Sequence, residues 1–234
     1  MAKGKLIVIE GTDASGKETQ AKLLLKRLSG DSFSTKMFEV PFYDSPTGRI
    51  IGQCYLGKDP KFYDWKGDTS WFENADKVPA KVASLYYAAD RLFNSPSIEK
   101  AILEHDFVFL DRYAESNMGH QGGKIRDPVE REKLVQWLYD FEYNQLKIPK
   151  PDKIFFLHMP TSVSLTLREK RGKGTGEAAD GHESNIQHLL NAEESYLQIA
   201  DLFKWEKISC APDGTINSLK TPEQIHKEIY NLII

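Results

Sequence analysis

Lys5-Leu6-Ile7-Val8-Ile9-Glu10-Gly11-Thr12-Asp13-Ala14-Ser15-Gly16-Lys17-Glu18-Thr19-Gln20 is the stretch that decides how this chain folds. Leu6 to Ile9 form an apolar run of strand length, the kind a parallel sheet covered on both faces requires. Gly11 to Lys17 then has the spacing G-x-x-x-x-G-K of a phosphate-binding loop. Glycines let the backbone bend until several N–H groups converge on phosphate oxygens. A helix N-terminus adds positive potential, and the lysine reaches the terminal phosphates. The helix that this needs follows at once, with Ala21, Leu24, Leu25 and Leu28 at i, i+3, i+4 and i+7. Strand, loop and helix thus stand in the order the chemistry demands.

The same alternation runs outward from that unit. Phe38-Glu39-Val40 ends a second strand, and Phe107 to Leu110, Ile154 to Leu157 and Trp205 to Ile208 supply three more. Val82, Leu85, Tyr86 and Ala89 repeat at helical spacing in a helix expected to begin near Lys81 and to break or kink at Ser95-Pro96. Asp127-Pro128 and Thr221-Pro222 announce two later helices, each with an N-cap and a proline at the first helical position. The expected architecture is a doubly wound α/β fold, a parallel sheet of about five strands flanked by helices, in one domain over residues 1–234. Two stretches stand outside it. Residues 58–79, with Trp65 and Trp71, read as an excursion, and residues 172–181, with four glycines, as a mobile loop.

Composition removes several classes of function. A net charge of −3 gives no bulk basic surface for nucleic acid or membrane, so any anion site must be local. Two cysteines, Cys54 and Cys210, argue against a disulfide framework and a cysteine-rich metal site. No apolar run could span a bilayer, and a cytoplasmic protein is expected.

A second group of candidates follows the third strand directly. Asp111 and Arg112 emerge where an open α/β sheet binds its ligands. Asp111 can hold magnesium through water, and Arg112 can fork onto a phosphate. Taken alone, the pair could equally close a strand end as an ion pair. In the first loop Glu18 stands where many such loops carry the serine or threonine that binds magnesium, with Thr19 one residue later. The string Gly16-Lys17-Glu18-Thr19-Gln20 resembles the variant of adenylate kinases and related nucleotide kinases, in which water, phosphates and a distant carboxylate hold most of the metal.

Asp111-Arg112-Tyr113-Ala114-Glu115-Ser116-Asn117-Met118-Gly119-His120-Gln121-Gly122 resembles the thymidylate kinase segment Asp-Arg-(Tyr/His)-x-x-Ser-x-x-Ala-(Tyr/Phe)-Gln-Gly. Tyr87-Ala88-Ala89-Asp90-Arg91 is similar to that family's Phe-x-Ala-(Asn/Asp)-Arg. Pro151-Asp152 resembles its entry to the fourth strand, and Asp180 to Glu183 with Tyr196-Leu197 the end of its lid and the next helix. The matches run in the family's order over most of the chain. The resemblance implies phosphoryl transfer from ATP to dTMP with magnesium, and a homodimer. It implies that Gly11, Thr12, Asp13, Ala14, Ser15, Gly16, Lys17, Glu18 and Thr19 meet ATP. Tyr87 matches the aromatic that stacks on thymine, Arg91 the arginine that reads an exocyclic oxygen, and Asp13 the acid that contacts the acceptor's sugar. Ser116, Asn117 and Gln121 match the thymine pocket, and Arg112 the arginine on the acceptor phosphate.

Three departures from the family pattern matter. The loop Pro41 to Gly48 has no arginine, and Tyr43 stands roughly where a phosphate-binding one is often found. His120 takes the place of an aromatic that helps exclude a ribose 2′-hydroxyl. None of Thr12, Asp13, Ala14 and Ser15 is basic, so a lid over residues 168–183 is expected to deliver the catalytic cation, from Arg171 first, then Arg168, with Lys170 and Lys173 beside them. Another deoxynucleoside or nucleoside monophosphate kinase, or a silent nucleotide-binding protein, is the competing reading. Asp111-Arg112-Tyr113 and the Tyr87/Arg91 pair argue against an adenylate kinase, thymidine as acceptor would make Arg112 less useful, and intact Lys17, Asp111 and Arg112 argue against a silent protein.

Overall fold

The computed structural model describes residues 3–57, 75–175 and 186–234. Five parallel strands form one sheet, in the order Thr35–Glu39, Phe107–Asp111, Lys5–Gly11, Lys153–His158 and Glu206–Ser209. In chain order the elements are β1 (Lys5–Gly11), α1 (Lys17–Gly30), β2 (Thr35–Glu39), the short α2 (Pro46–Arg49), α3 (Ala80–Glu104), β3 (Phe107–Asp111), α4 (Ala114–Gly122) and α5 (Pro128–Tyr139). They continue with β4 (Lys153–His158), α6 (Thr161–Thr175), α7 (Ile186–Leu202), β5 (Glu206–Ser209) and α8 (Pro222–Ile233). Side chains alternate along each strand, and both sheet faces are covered. Leu6, Val8, Val108, Leu110 and Phe156 pack toward Ile98 and Ile102 of α3, Met118 of α4, Val135 of α5 and Ile199 of α7. Ile7, Ile9, Phe109, Phe155 and Leu157 pack toward Leu24 of α1, Val163 of α6 and Ile229 of α8. The central strands β1, β3 and β4 are therefore apolar on both sides, which is why their runs read as continuous, while the edge strands β2 and β5 carry exposed polar residues.

The helix starts follow the sequence. Asp127 accepts from the N–H groups of Val129 and Glu130, and Thr221 forms a reciprocal capping box with Gln224. α3 departs from expectation in two ways. It passes through Pro96 without ending, because the Ser95 hydroxyl donates to the Leu92 carbonyl at 2.9 Å, the acceptor that an N–H at position 96 would have served. The stripe of Val82 and Leu85 is also not its buried side: these are 40% and 49% exposed, and with Leu92 and Phe93 they form an outward apolar face. The buried side carries Ala83, Ser84, Ala88, Asp90, Arg91 and Ser95, small or polar because it must approach other helices closely and line a site.

The glycine-rich stretch is corrected in part, since residues 172–175 close α6 as helix. Residues 176–185, most of the expected excursion (58–74), and the side chains of Lys170, Arg171 and Lys173 lie outside the described residues.

Candidate active site

Gly11 ends β1 paired with Leu157 of β4, and a side chain there would collide with the Ser15 hydroxyl and the Leu157 carbonyl. Glycine thus lets the loop fold back on the strand end. The turn closes at Gly16, whose φ of 83° is left-handed, and α1 begins with no side-chain cap on its first N–H groups. Thr12 ties the loop to β4, donating to the Met159 carbonyl at 2.6 Å and accepting from its N–H at 2.9 Å. Lys17 lies over the loop, its Nζ donating to the carbonyls of Gly11 and Thr12 at 3.0 and 3.1 Å. Burial, helped by the nearby Arg112 charge, lowers its pKa to about 8 against the pull of Asp13, Glu10 and Asp111. Glu18 and Thr19 are exposed, and Glu18 pairs with Lys22 one turn on. The first turn of α1 buries Lys17 and Gln20, which turns the side chains of residues 18 and 19 outward.

The sheet register brings the second group to this loop. β3 neighbours β1 with Asp111 level with Ile9, so residues just past β3 emerge beside residues 11–17. Asp111 Oδ1 is buried with no hydrogen-bond partner, and burial raises its pKa although Lys17 and Arg112 pull it down. Such an oxygen is costly unless a cation or ordered water meets it. Arg112 has a left-handed φ of 68°, uncommon for a residue with a side chain. Neighbouring backbone contacts hold it there: its N–H donates to Ile9 at 3.2 Å, and the Tyr113 N–H donates to the Glu10 carboxylate at 2.9 Å. Glu10 is fully buried and also accepts from the hydroxyls of Ser116 at 2.7 Å and Tyr196 at 3.2 Å. Burial raises its pKa, opposed by Arg112, Ser116, Lys17 and the Tyr113 N–H. Arg112 does not simply close its own strand end. It reaches across, with Nη2 3.8 Å from Asp13 and Nη1 3.3 Å from His120 Nε2.

Beyond Arg112 lies a cavity of about 150 Å³. Asp13, Tyr43, Tyr87, Arg91, Arg112, Ser116, Asn117, His120 and Gln121 all line it. These are the nine side chains that the sequence assigns to the acceptor, brought together from the phosphate loop, the loop after β2, α3, the end of β3 and α4. Asp90 anchors the loop that carries Tyr43, accepting from the Phe42 N–H at 2.9 Å and from the hydroxyls of Ser45 and Thr47 at 2.9 and 2.8 Å. The Tyr87 ring meets Tyr55 edge-on at 5.7 Å. Arg91 is 1% exposed: Nε donates to Glu142 Oε2 at 2.5 Å, Nη2 bonds Oε1, and Nη1 lies 3.5 Å from the Tyr113 carbonyl. Burial opposes the Arg91 charge and Glu142 outweighs it, so its pKa stays above the ordinary arginine value. Asn117 also donates to Glu142 at 3.3 Å, while Asn117 Oδ1 and Gln121 Oε1 are buried acceptors without partners.

The family model described as thymidylate kinase matches residues 9–229. The chain belongs to the thymidylate kinase family. A probable thymidylate kinase of Thermococcus kodakarensis is 28% identical over 229 residues, spanning 97% of this chain and 96% of its own. The thymidylate kinase of Prochlorococcus marinus is 30% identical over 213 residues, 89% of each chain. The solved thymidylate kinase of Candida albicans, 23% identical, shares the fold with a TM-score of 0.68 over 100% of this chain and 92% of that one. No helix among the described residues is long and apolar enough to cross a membrane.

No sequence motif points to Glu142, Tyr55 or His188. The first holds Arg91, the second packs on Tyr87, and the third lines the same cavity from α7. None belongs to a local motif. Their roles exist only through contacts 51, 32 and 68 residues away in sequence, to Arg91, Tyr87 and His120. Arg168, the one lid candidate whose side chain is described, is partly buried on α6.

Proposed function

We propose that the protein transfers the γ-phosphoryl group of ATP to dTMP, giving dTDP and ADP, as a cytoplasmic step in dTTP synthesis. The observation that carries this reading is that all nine acceptor candidates share one cavity whose inner end, Asp13 and Arg112, abuts the Lys17 loop. The base lies against Tyr87. Arg91, fixed by Glu142, offers Nη1 to an exocyclic oxygen, and the spare amide acceptors Asn117 Oδ1 and Gln121 Oε1 suit a base N–H. Arg112 orients the acceptor phosphate, whose own oxygen attacks, so no nucleophilic side chain is needed.

Phosphoryl transfer asks a protein mainly for alignment and neutralisation of charge. The backbone of residues 11–17 and the Lys17 ammonium supply both on the donor side. Magnesium fits the site: Asp111 Oδ1 is a buried oxygen in want of a partner. Asp111 would hold the ion through water, and when bound it neutralises the β- and γ-phosphate oxygens. Arg171 and Arg168 supply a further cation from the lid. We infer a homodimer from the outward apolar face of α3, where Leu85, Leu92 and Phe93 are exposed.

The test is an ADP-release assay with ATP and magnesium against dTMP, AMP, CMP and thymidine. dTMP is the expected preferred acceptor. Equal or better turnover of AMP would overturn the reading, and turnover confined to thymidine would reassign Arg112.

A further inference from the structure

Two histidines meet in the wall of the acceptor cavity. His120 belongs to α4 and His188 to the first turn of α7, and both line the cavity. His120 Nδ1 lies 3.3 Å from His188 Nε2, and the two ring planes are within 6° of each other. The other nitrogen of His120, Nε2, lies 3.3 Å from Arg112 Nη1. Chemistry sets the direction of this chain. A guanidinium only donates, so His120 Nε2 accepts, its ring is neutral, and the proton sits on Nδ1. That proton is donated to His188 Nε2. Tyr196 packs edge-on against His120 at 5.6 Å and holds the plane of its ring. On the other side of the guanidinium, Asp13 is 3.8 Å from Nη2, too long for a hydrogen bond. Between these two neighbours, His120 makes the directional contact.

We propose that His188 is a positioning residue for the reaction. Through His120 it sets the plane of the Arg112 guanidinium toward the acceptor phosphate, and it ties that setting to α7, the helix entered from residues 176–185. A planar fork is useful only in the right orientation, which gives the relay its consequence for binding. The assignment rests on the kinase reading above.

The experiment compares His188→Phe, which keeps a ring without the acceptor, with His188→Gln, whose amide oxygen can take the place of Nε2. His188→Leu carries the same comparison should the phenylalanine variant not fold. Loss of one hydrogen bond should raise the KM for dTMP about five- to tenfold, with the KM for ATP unmoved and the glutamine variant within about twofold of wild type. In an Arg112→Ala background the change at His188 should add nothing further, since its effect passes through Arg112. An unchanged dTMP KM in His188→Phe, a glutamine variant as impaired as the phenylalanine one, or additive losses with Arg112→Ala would each overturn the role. Wild-type protein inert toward dTMP would overturn the kinase reading and this role with it. An active wild type with an indifferent His188→Phe would overturn this role alone.

Discussion

Glu142→Leu removes the carboxylate that forks onto the buried Arg91 guanidinium. Both side chains are essentially excluded from water, so the variant strands a positive charge in the interior. Breaking a buried pair from one side costs about 3–5 kcal/mol. At about 2–4 °C per kcal/mol for a chain of this size, the melting temperature should fall by about 6–20 °C. Replacing both members with apolar residues of similar volume, Arg91→Met with Glu142→Leu, removes the stranded charge and should restore stability to within about 2 kcal/mol of wild type. Activity should not follow stability back. Without Arg91 the cavity loses a charged donor to the base, and the preference for dTMP over other monophosphates should shrink about ten- to a hundredfold. Thermal melting read beside the acceptor panel separates the two effects. A single variant that melts within about 3 °C of wild type would show that Arg91 escapes to solvent, contrary to the packing. A stable double variant that still prefers dTMP would show that Arg91 holds the fold and does not read the base.

Lys17→Ala should lower kcat by a factor on the order of a hundred with the fold retained, and near-normal turnover would remove the loop from the mechanism. The charged form of Lys17 is present below its pKa and lost above it, so kcat/KM for ATP should decline as pH rises through about 8; a profile flat across that region would contradict the depressed pKa. Arg171→Ala and Arg168→Ala should reduce turnover while leaving dTMP affinity nearly unchanged, because their contacts form only in the closed, reacting complex. If alanine at both left turnover unaltered, the lid would be a cover and not a catalyst. Wild type should sediment as a dimer and Leu85→Glu with Phe93→Glu as a monomer; a wild type already monomeric would refute the α3 interface.

What was legible in the sequence was whatever is written locally. The β1 strand, the glycine loop and the α1 stripe of Ala21, Leu24 and Leu28 need only nearest neighbours in the chain to be understood, and the capping residues Asp127 and Thr221 mark their helices for the same reason. α3 shows the limit. Periodicity at Val82, Leu85, Tyr86 and Ala89 locates the helix, yet the inward side is Ala83, Ser84, Ala88 and Arg91, since a helix that lines a polar cavity turns small and charged residues toward the protein. The proline at 96 reads as a break or a kink, and only the fold shows the helix continuing through it with the Ser95 hydroxyl on the Leu92 carbonyl. Family resemblance implies roles for Tyr87, Arg91 and Arg112, and the fold brings all three to one cavity, Arg112 from the end of β3 and the other two from α3. Glu142 and His188 had no such signature. A lone acid and a lone histidine on helices are common, and only tertiary packing sets them against Arg91 and His120.

The grip of Lys17 on its own loop has a consequence for the entropy of anion binding. Its ammonium is engaged with the carbonyls of Gly11 and Thr12, which fixes a side chain that would otherwise sample many rotamers. An ammonium carries three donors, so one stays open while two hold the loop. An anion at the uncapped N–H groups of α1 would therefore meet a cation already in place, with little side-chain freedom left to lose.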